Sequence, residues 1–285
     1  MLNVGALCIY PLKGARGIAL ERAALEPRGF EHDRRWLAAD GEGVFLTQRE
    51  APALARIEAR PIADGLHLRT EGVGDVAVAL DGPGPRGRVK LWRDEIDALA
   101  GGAAADAFLS AALGREARLF YMDDAARRAT SARWSAAGPV SFADGYPLLL
   151  AATASLDALN AAIVESGGVP VGMDRFRPNL VIEGAAPWAE DRWRRLRIGD
   201  AEIELVKPCD RCIVTTTDQE TGERRGREPL RTLNRLRLSA HPEVKGVLFG
   251  WNAVVRKAGV LSKGDEAGIV EARPEGWPLS PARAA

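Results

Sequence analysis

The chain has 285 residues, 46% hydrophobic and 27% charged, which is enough core-forming material for one large or two small domains. Its formal net charge is zero, so no global field draws nucleic acid or an anionic membrane, and any anion site must be built from a few converging cations. Three cysteines exclude both a disulfide-stapled secreted framework and an all-cysteine iron–sulfur cluster, which takes four thiolates.

Taken in chain order, Met1 to Tyr10 has no basic region and no cleavage site, and its short apolar run reads as a first strand rather than a signal peptide. No stretch approaches the roughly 20 apolar residues of a membrane span, so a soluble cytoplasmic protein is expected, with neither nucleic acid nor membrane as partner. Loose alternation continues through Ile18, Leu20, Ala23 and Leu25. Trp36–Ala39 and Val44–Leu46 flank Asp40-Gly41-Glu42-Gly43, a hairpin signal. Leu54–Ala59, Leu66–Leu68, Val76–Leu80 and Val89–Trp92 extend the series of strands. Gly82-Pro83-Gly84-Pro85 is a turn, because it lacks the Gly-Lys-Ser/Thr ending of a phosphate loop.

Ala103–Leu113 predicts a helix capped by Gly114, and residues 123–138 an exposed loop near a domain seam. A second helix is expected from Ser155 as N-cap to Gly167-Gly168. Leu180–Ile182, Leu196–Ile198 and Ile203–Val206 return to strands, with Gly199-Asp200 as a hairpin turn. Pro229–Leu238 reads as a helix with proline in its first turn. Phe249–Val255 and Gly268–Ala272 close with strands. Many strands and few helices predict a mostly β protein with α additions.

The chemistry concentrates at Lys207-Pro208-Cys209-Asp210-Arg211-Cys212, which places two of the three cysteines among basic side chains. Thiolate is the reactive and metal-binding form of cysteine, and Lys207 and Arg211 are the neighbours that favour it. A zinc site lacks a second ligand pair, since Cys8, His32, His67 and His241 are scattered singly. A thioredoxin-like pair wants a helix after it, whereas Ile213-Val214-Thr215-Thr216-Thr217 is strongly β-prone. Two inert core thiols fit poorly beside such charges. A soft metal held by one thiolate, with its other ligands from a bound cofactor, stays open. Lys13 in a Gly-rich loop, the arginines of His32-Asp33-Arg34-Arg35-Trp36 and those of Arg175-Phe176-Arg177-Pro178-Asn179 sit at strand ends. Together they suggest a polar, phosphate-bearing ligand over a metal-binding thiolate. The seven tryptophans are scattered and add little; Trp251 reads as core or cleft lining, and His67 and His241 as ordinary histidines.

These clusters carry a family resemblance. Tyr-Pro-Leu-Lys at 10–13, His-Asp-Arg-Arg-Trp at 32–36, Leu-Thr-Gln-Arg at 46–49, Phe-Arg-Pro-Asn-Leu-Val at 176–181, Ile-Gly-Asp at 198–200, Lys-Pro-Cys-Asp-Arg-Cys at 207–212 and Glu-Pro-Leu-Arg-Thr-Leu at 228–233 occur in unbroken order. The chain thus resembles MOSC-domain proteins with an N-terminal MOSC β-barrel domain, similar to the mitochondrial amidoxime-reducing component and its bacterial relatives. The resemblance implies an N-terminal β-barrel-like domain over residues 1–122 and a MOSC β-barrel domain over residues 123–285.

It also implies a molybdenum cofactor in its pyranopterin form, with Cys212 as the metal ligand and Cys209 in a supporting place. Pterin and phosphate contacts carry over to Lys13, Arg34, Arg177, Asn179 and Arg211. Asp210 stands where the family often has serine, and it is expected to pair with Arg211 or to contact the cofactor through its backbone. Gly14 replaces another frequent serine. Asp144 matches a family aspartate near the metal and is expected to relay protons. The implied activity is reduction of small N-hydroxylated compounds, amidoximes or N-hydroxylated bases. Electrons are expected from a separate protein of ferredoxin, flavin-reductase or cytochrome type, because the cysteine count allows no built-in cluster and the chain ends at Ala285 without a ferredoxin module. The alternative is a sulfur or cofactor carrier like the MOSC modules of cofactor sulfurases. A third reading is an anion-binding scaffold without turnover. Pyridoxal phosphate binding is a family-level association only.

Overall fold

The computed structural model describes residues 1–80 and 84–281. The expected turn at Gly82-Pro83 lies outside the described residues. The first half is built of strands β1 (Leu2–Ile9), β2 (Ile18–Leu20), β3 (Arg22–Glu26), β4 (Gly29–Phe30), β5 (Trp36–Ala39), β6 (Glu58–Ile62), β7 (Gly65–Thr70), β8 (Gly74–Ala79), β9 (Arg86–Leu91) and β10 (Asp94–Ala100). Helix α1 (Ala103–Leu113) ends on Gly114, whose φ of 64° gives a left-handed cap that glycine adopts without penalty, and β11 (Arg118–Tyr121) follows. The second half holds β12 (Leu148–Ala152), α2 (Thr153–Glu165), β13 (Leu180–Glu183), β14 (Trp193–Ile198), β15 (Ala201–Arg211), α3 (Leu230–Leu236), β16 (Val247–Lys257), β17 (Gly259–Ser262) and β18 (Glu266–Ala272). No helix among the described residues is long and apolar enough to cross a membrane.

Seven strands close into a barrel in the order β13-β12-β16-β15-β14-β18-β1, with β1 pairing back onto β13. The β12–β13 pair is parallel and the other pairs of the ring are antiparallel. Closure leaves the ring no free edge, and the alternation of each strand fills the inside with Val4, Leu7, Leu150, Ile182, Leu196 and Ile203. Each such side chain, at 1% exposure or less, contributes about 2 kcal/mol by burial. The chain's first strand therefore belongs to a barrel whose other strands lie beyond residue 147. Helices α2 and α3 pack outside it around Leu159, Ile163, Leu233 and Phe249.

β2 pairs with β1 at the barrel's side, and β3 and β4 join β17 of the second half in a three-stranded sheet, β17-β3-β4; the remaining first-half strands form a four-stranded sheet, β5-β11-β10-β9, and a three-stranded sheet, β6-β7-β8. Leu54, Ile57, Leu66, Leu68 and Leu109 fill the space between these strands and α1. The mostly β architecture with α additions is thus observed.

Three local expectations change. Leu54–Ala59 begins as a 3-10 turn, Pro52–Arg56, because the ring of Pro52 fixes φ and starts a helical turn before β6. Ser155 is not a cap but lies inside α2, fully buried, where its hydroxyl donates to Glu190 Oε2 at 2.8 Å and accepts from the Trp188 amide at 2.8 Å. The β-prone run after Cys212 forms a 3-10 turn over Ile213–Thr216. There the hydroxyls of Thr215 and Thr216 donate back to the carbonyls of Cys212 and Ile213 at 2.9 and 2.7 Å, a local bond that competes with a ladder.

Candidate functional site

β1 delivers its next residue, Tyr10, into the seam between the barrel and the first-half sheets. The ring is 3% exposed, and its hydroxyl donates to the Pro178 carbonyl at 3.1 Å. Two arginines from distant loops stack on this one ring: the guanidinium carbons of Arg34 and Arg177 lie 4.5 and 4.1 Å from its centroid. Both arginines have positive φ, 49° and 55°, a conformation that costs energy for any side chain other than glycine and concentrates at functional sites.

Arg34 is held by Asp33 and by Asn179 Oδ1, at 3.0 Å from the latter. Arg177 donates to Gln219 Oε1 at 2.9 Å, and Gln219 exchanges two 3.0 Å amide bonds with Gln48, across the two halves of the chain. Arg177 meets no carboxylate among the described residues.

The cysteine motif lies where β15 ends. Pairing of β15 with β16 slips between Pro208/Trp251 and Asp210/Leu248, so Cys209 stands opposite an irregularity that includes Gly250. Gly250 has φ 71°, and a Cβ there would come within 2.6 Å of the Leu150 carbonyl oxygen, so only glycine fits. Cys8, Cys209 and Cys212 are all free thiols. Burial pushes the Cys209 thiol pKa up, opposed by the Arg211 guanidinium, which donates to its Sγ at 2.8 Å. Arg211 also donates to the Phe176 carbonyl, meets no carboxylate among the described residues, and keeps a buried Nε with no partner. Lys207 donates to Asp210 at 2.8 Å. The pairing expected between Asp210 and Arg211 is therefore replaced by one with Lys207, because the bulge turns the exposed Asp210 side chain back along its own strand. The basic neighbours of the motif thus divide between Asp210 and Cys209.

Lys13, in the loop after β1, is 7% exposed and bonds to Asp144, which precedes β12. Burial lowers the Lys13 pKa, and Asp144 opposes the shift. The protein around Asp144 raises its pKa, but Lys13, with Arg34 and Arg49, outweighs this and holds the carboxyl well below the usual carboxylate range. Three quarters of the Asp144 side chain is nonetheless open to solvent, so the screening of water weakens that hold.

All eight residues anticipated from the sequence, Lys13, Arg34, Asp144, Arg177, Asn179, Asp210, Arg211 and Cys212, line one cleft of about 160 Å³. Asn179 is 1% exposed, and its amide oxygen accepts from Arg34 and from the Leu149 amide while its nitrogen donates to the Cys8 carbonyl. It thereby fixes Arg34 and ties β1 to β12. Arg35, next to Arg34, points the other way, to the Met122 carbonyl and Asp124.

Sequence reasoning missed Tyr10 as the shared platform, the Gln48–Gln219 pair, and Arg49 and Trp92 at the cleft edge. Leu-Thr-Gln-Arg at 46–49 contained two of these without revealing their contacts. A tryptophan at the tip of the β9–β10 hairpin was the available signal for the last.

The donor set suits a cofactor that brings its own metal ligands. Among the described residues no three His, Cys, Asp or Glu side chains cluster to enclose a metal. The cleft instead offers cysteine sulfur, guanidiniums without acids, and two buried polar atoms lacking partners, Arg211 Nε and the Tyr146 hydroxyl. An anionic, sulfur-bearing group answers both needs.

Fold and cleft together define the class: a closed barrel joined to an N-terminal β module, with thiols and cations facing the seam. The chain matches the MOSC domain over residues 137–267 and the MOSC N-terminal beta barrel domain over residues 1–116, and it belongs to the MOSC family. It is 31% identical over 278 residues to mitochondrial amidoxime-reducing component 1 of Mus musculus, a match covering 92% of this chain and 81% of that protein. The Homo sapiens counterpart is 30% identical with the same coverage. Molybdenum cofactor sulfurase of Oryza sativa subsp. japonica is 27% identical over 281 residues, 89% of this chain but 33% of that longer protein. Family and relatives support a function related to the molybdenum cofactor. None of these names points to pyridoxal phosphate.

Proposed function

We propose that the chain is a molybdenum-cofactor-dependent reductase of small N-hydroxylated compounds, amidoximes or N-hydroxylated bases, fed by a separate electron-donor protein. The proposed division is an N-terminal unit over residues 1–122 and a MOSC unit over residues 123–285, with β1 reaching across. The observation that carries the reading is the convergence of Arg177 and Arg211, neither with an acidic partner among the described residues, on the cleft that contains Cys212. The names of the relatives agree with it.

Cys212 is the residue proposed to hold the metal, and Arg34, Arg177 and Arg211 to bind the cofactor's anionic end, since planar guanidinium forks suit oxyanions. When bound, the cofactor supplies two-electron reduction with removal of oxygen. Converting N–OH to N–H consumes two electrons and two protons and releases water. Lys13, whose burial eases loss of its proton, is the proton donor of this reading, and Asp144 fixes it and exposes the pair to water for reprotonation. The donor is of ferredoxin, flavin-reductase or cytochrome type.

The test is elemental analysis of protein made in a cofactor-competent host, wild type beside Cys212→Ser. Stoichiometric molybdenum lost in the variant, with the fold intact by circular dichroism, supports the reading. No molybdenum in either overturns it. A second reading, a sulfur or cofactor carrier, is favoured by the sulfurase likeness and by Cys209 lying under Arg211. A persulfide on Cys209 or Cys212 by mass spectrometry, without metal, selects it.

A further inference from the structure

We infer that Trp92 is the specificity-determining residue of this cleft, a lip that selects N-hydroxylated substrates carrying a flat aromatic or heteroaromatic ring over aliphatic ones. The inference rests on the reductase reading. Trp92 lines the cleft yet is 47% exposed, and among the described residues lining it no other large apolar side chain is exposed.

Its conformation is the second observation. β9 and β10 are joined by a two-residue turn, since Leu91 pairs with Asp94, and Trp92 takes the first position at φ 58°. Glycine is usual there, because a side chain crowds the backbone. Burial of the ring does not compensate, since half of it faces solvent, and strained residues of this kind concentrate at functional sites.

The ring is also fixed in place. Phe45 meets it edge-on at 4.8 Å between centroids, and the Arg49 guanidinium carbon lies 4.9 Å from its centroid. A pre-positioned aromatic surface stacks a planar ligand at little entropic cost. The lip stands near the reacting end as well. Lys13 Nζ is 5.7 Å from the Phe45 ring, so the path from the ammonium to Trp92 is two contacts long. An aryl amidoxime carries its N–OH one carbon from a flat ring, and so offers the lip a ring to stack beside the group to be reduced. An aliphatic amidoxime offers nothing to stack.

The experiment compares Trp92→Asn with Trp92→Phe. Asparagine tolerates positive φ, so the hairpin keeps its turn while the ring is lost. The readout is the ratio of kcat/KM for benzamidoxime to that for acetamidoxime, alongside calorimetric binding of benzamidoxime to the oxidised holoenzyme. The ratio is expected to fall about five- to tenfold in Trp92→Asn, with a matching rise in the benzamidoxime Kd, and to recover largely in Trp92→Phe. A ratio unchanged in Trp92→Asn overturns the inference, whether both substrates slow alike or neither does. If benzamidoxime binds through Trp92 but no N-hydroxy compound is reduced, the lip stands as a binding element and the reductase reading falls. If both compounds are reduced with an unchanged ratio, the reverse holds.

Discussion

Two arginine clusters, built from similar parts, divide the molecule into what is held and what is offered. At Asp191, Arg237 donates to both carboxylate oxygens, at 2.9 and 2.7 Å, and Trp251 Nε1 donates to one of them at 2.9 Å. Arg237 stacks on Trp188 at 4.4 Å, and both charged residues are buried. At Tyr10 the stacking is the same, but among the described residues Arg177 meets no carboxylate and donates to the amide oxygen of Gln219. Cation and carboxylate satisfied inside the protein make a structural joint. A cation stacked, strained and left without an acid stores its charge for something that arrives from outside. The lesson is that a stacked arginine has charge to spare for an incoming anion where its counter-charge is missing, as at Arg177.

The comparison breaks most sharply at the structural joint. Arg237→Ala leaves Asp191 buried and unpaired, so a loss of about 3–5 kcal/mol in urea unfolding is expected. A loss below about 1 kcal/mol shows that the joint is not structural.

The neighbouring Glu190 sharpens the same side. Burial, with Asp191 nearby, raises its pKa to about 7 from 4.5, against the opposing bond from Ser155 and the charge of Arg237. The folded state therefore holds a proton that the unfolded state releases between these values. Stability is full below pH about 4.5 and falls as pH rises toward 7, by about 3 kcal/mol on this account. Unfolding of wild type and Glu190→Gln across that window checks it, the variant lacking this component of the slope.

On the offered side, Asp144→Asn removes the partner of Lys13. A fall of about 100-fold in kcat on an N-hydroxy substrate is expected, the scale of a displaced proton donor, with cofactor retained. Equal loss of cofactor and activity assigns the pair to binding instead. The smallest effect is at Arg177. Arg177→Met is expected to weaken cofactor retention by about tenfold, the worth of one charge-assisted hydrogen bond, measured by molybdenum remaining after gel filtration. The apoprotein should lose no more than about 1.5 kcal/mol, the scale of one hydrogen bond and its stacking, in contrast to Arg237→Ala. A large stability loss at Arg177 would erase the distinction between the clusters.

Much of the candidate site was legible because its residues sit beside strand ends in short motifs. Lys13 follows the first strand, Arg177 and Asn179 precede Leu180-Val181-Ile182, and the cysteines end an apolar run. Their bonds were less legible. Lys207 at three residues from Asp210 outcompetes adjacent Arg211, because a bulge decides which way the carboxylate turns. Tyr10 reaches Pro178 across 168 residues of chain, and Gln48 reaches Gln219 across 171. No local pattern encodes such partners. The Thr-rich run after Cys212 misled because β propensity describes a side chain's fit to a sheet, whereas these hydroxyls bonded their own backbone.

The sequence by itself determined the mostly β class, the family, and eight of the side chains that line the cleft, because alternation, turn residues and ordered motifs are local properties. Tertiary structure alone decided that β1 completes a barrel made of later strands, that two arginines share one tyrosine ring, and that a hairpin tip brings Trp92 to the cleft. Barrel closure and cation stacking depend on where distant segments come to rest, and only the buried core fixes that.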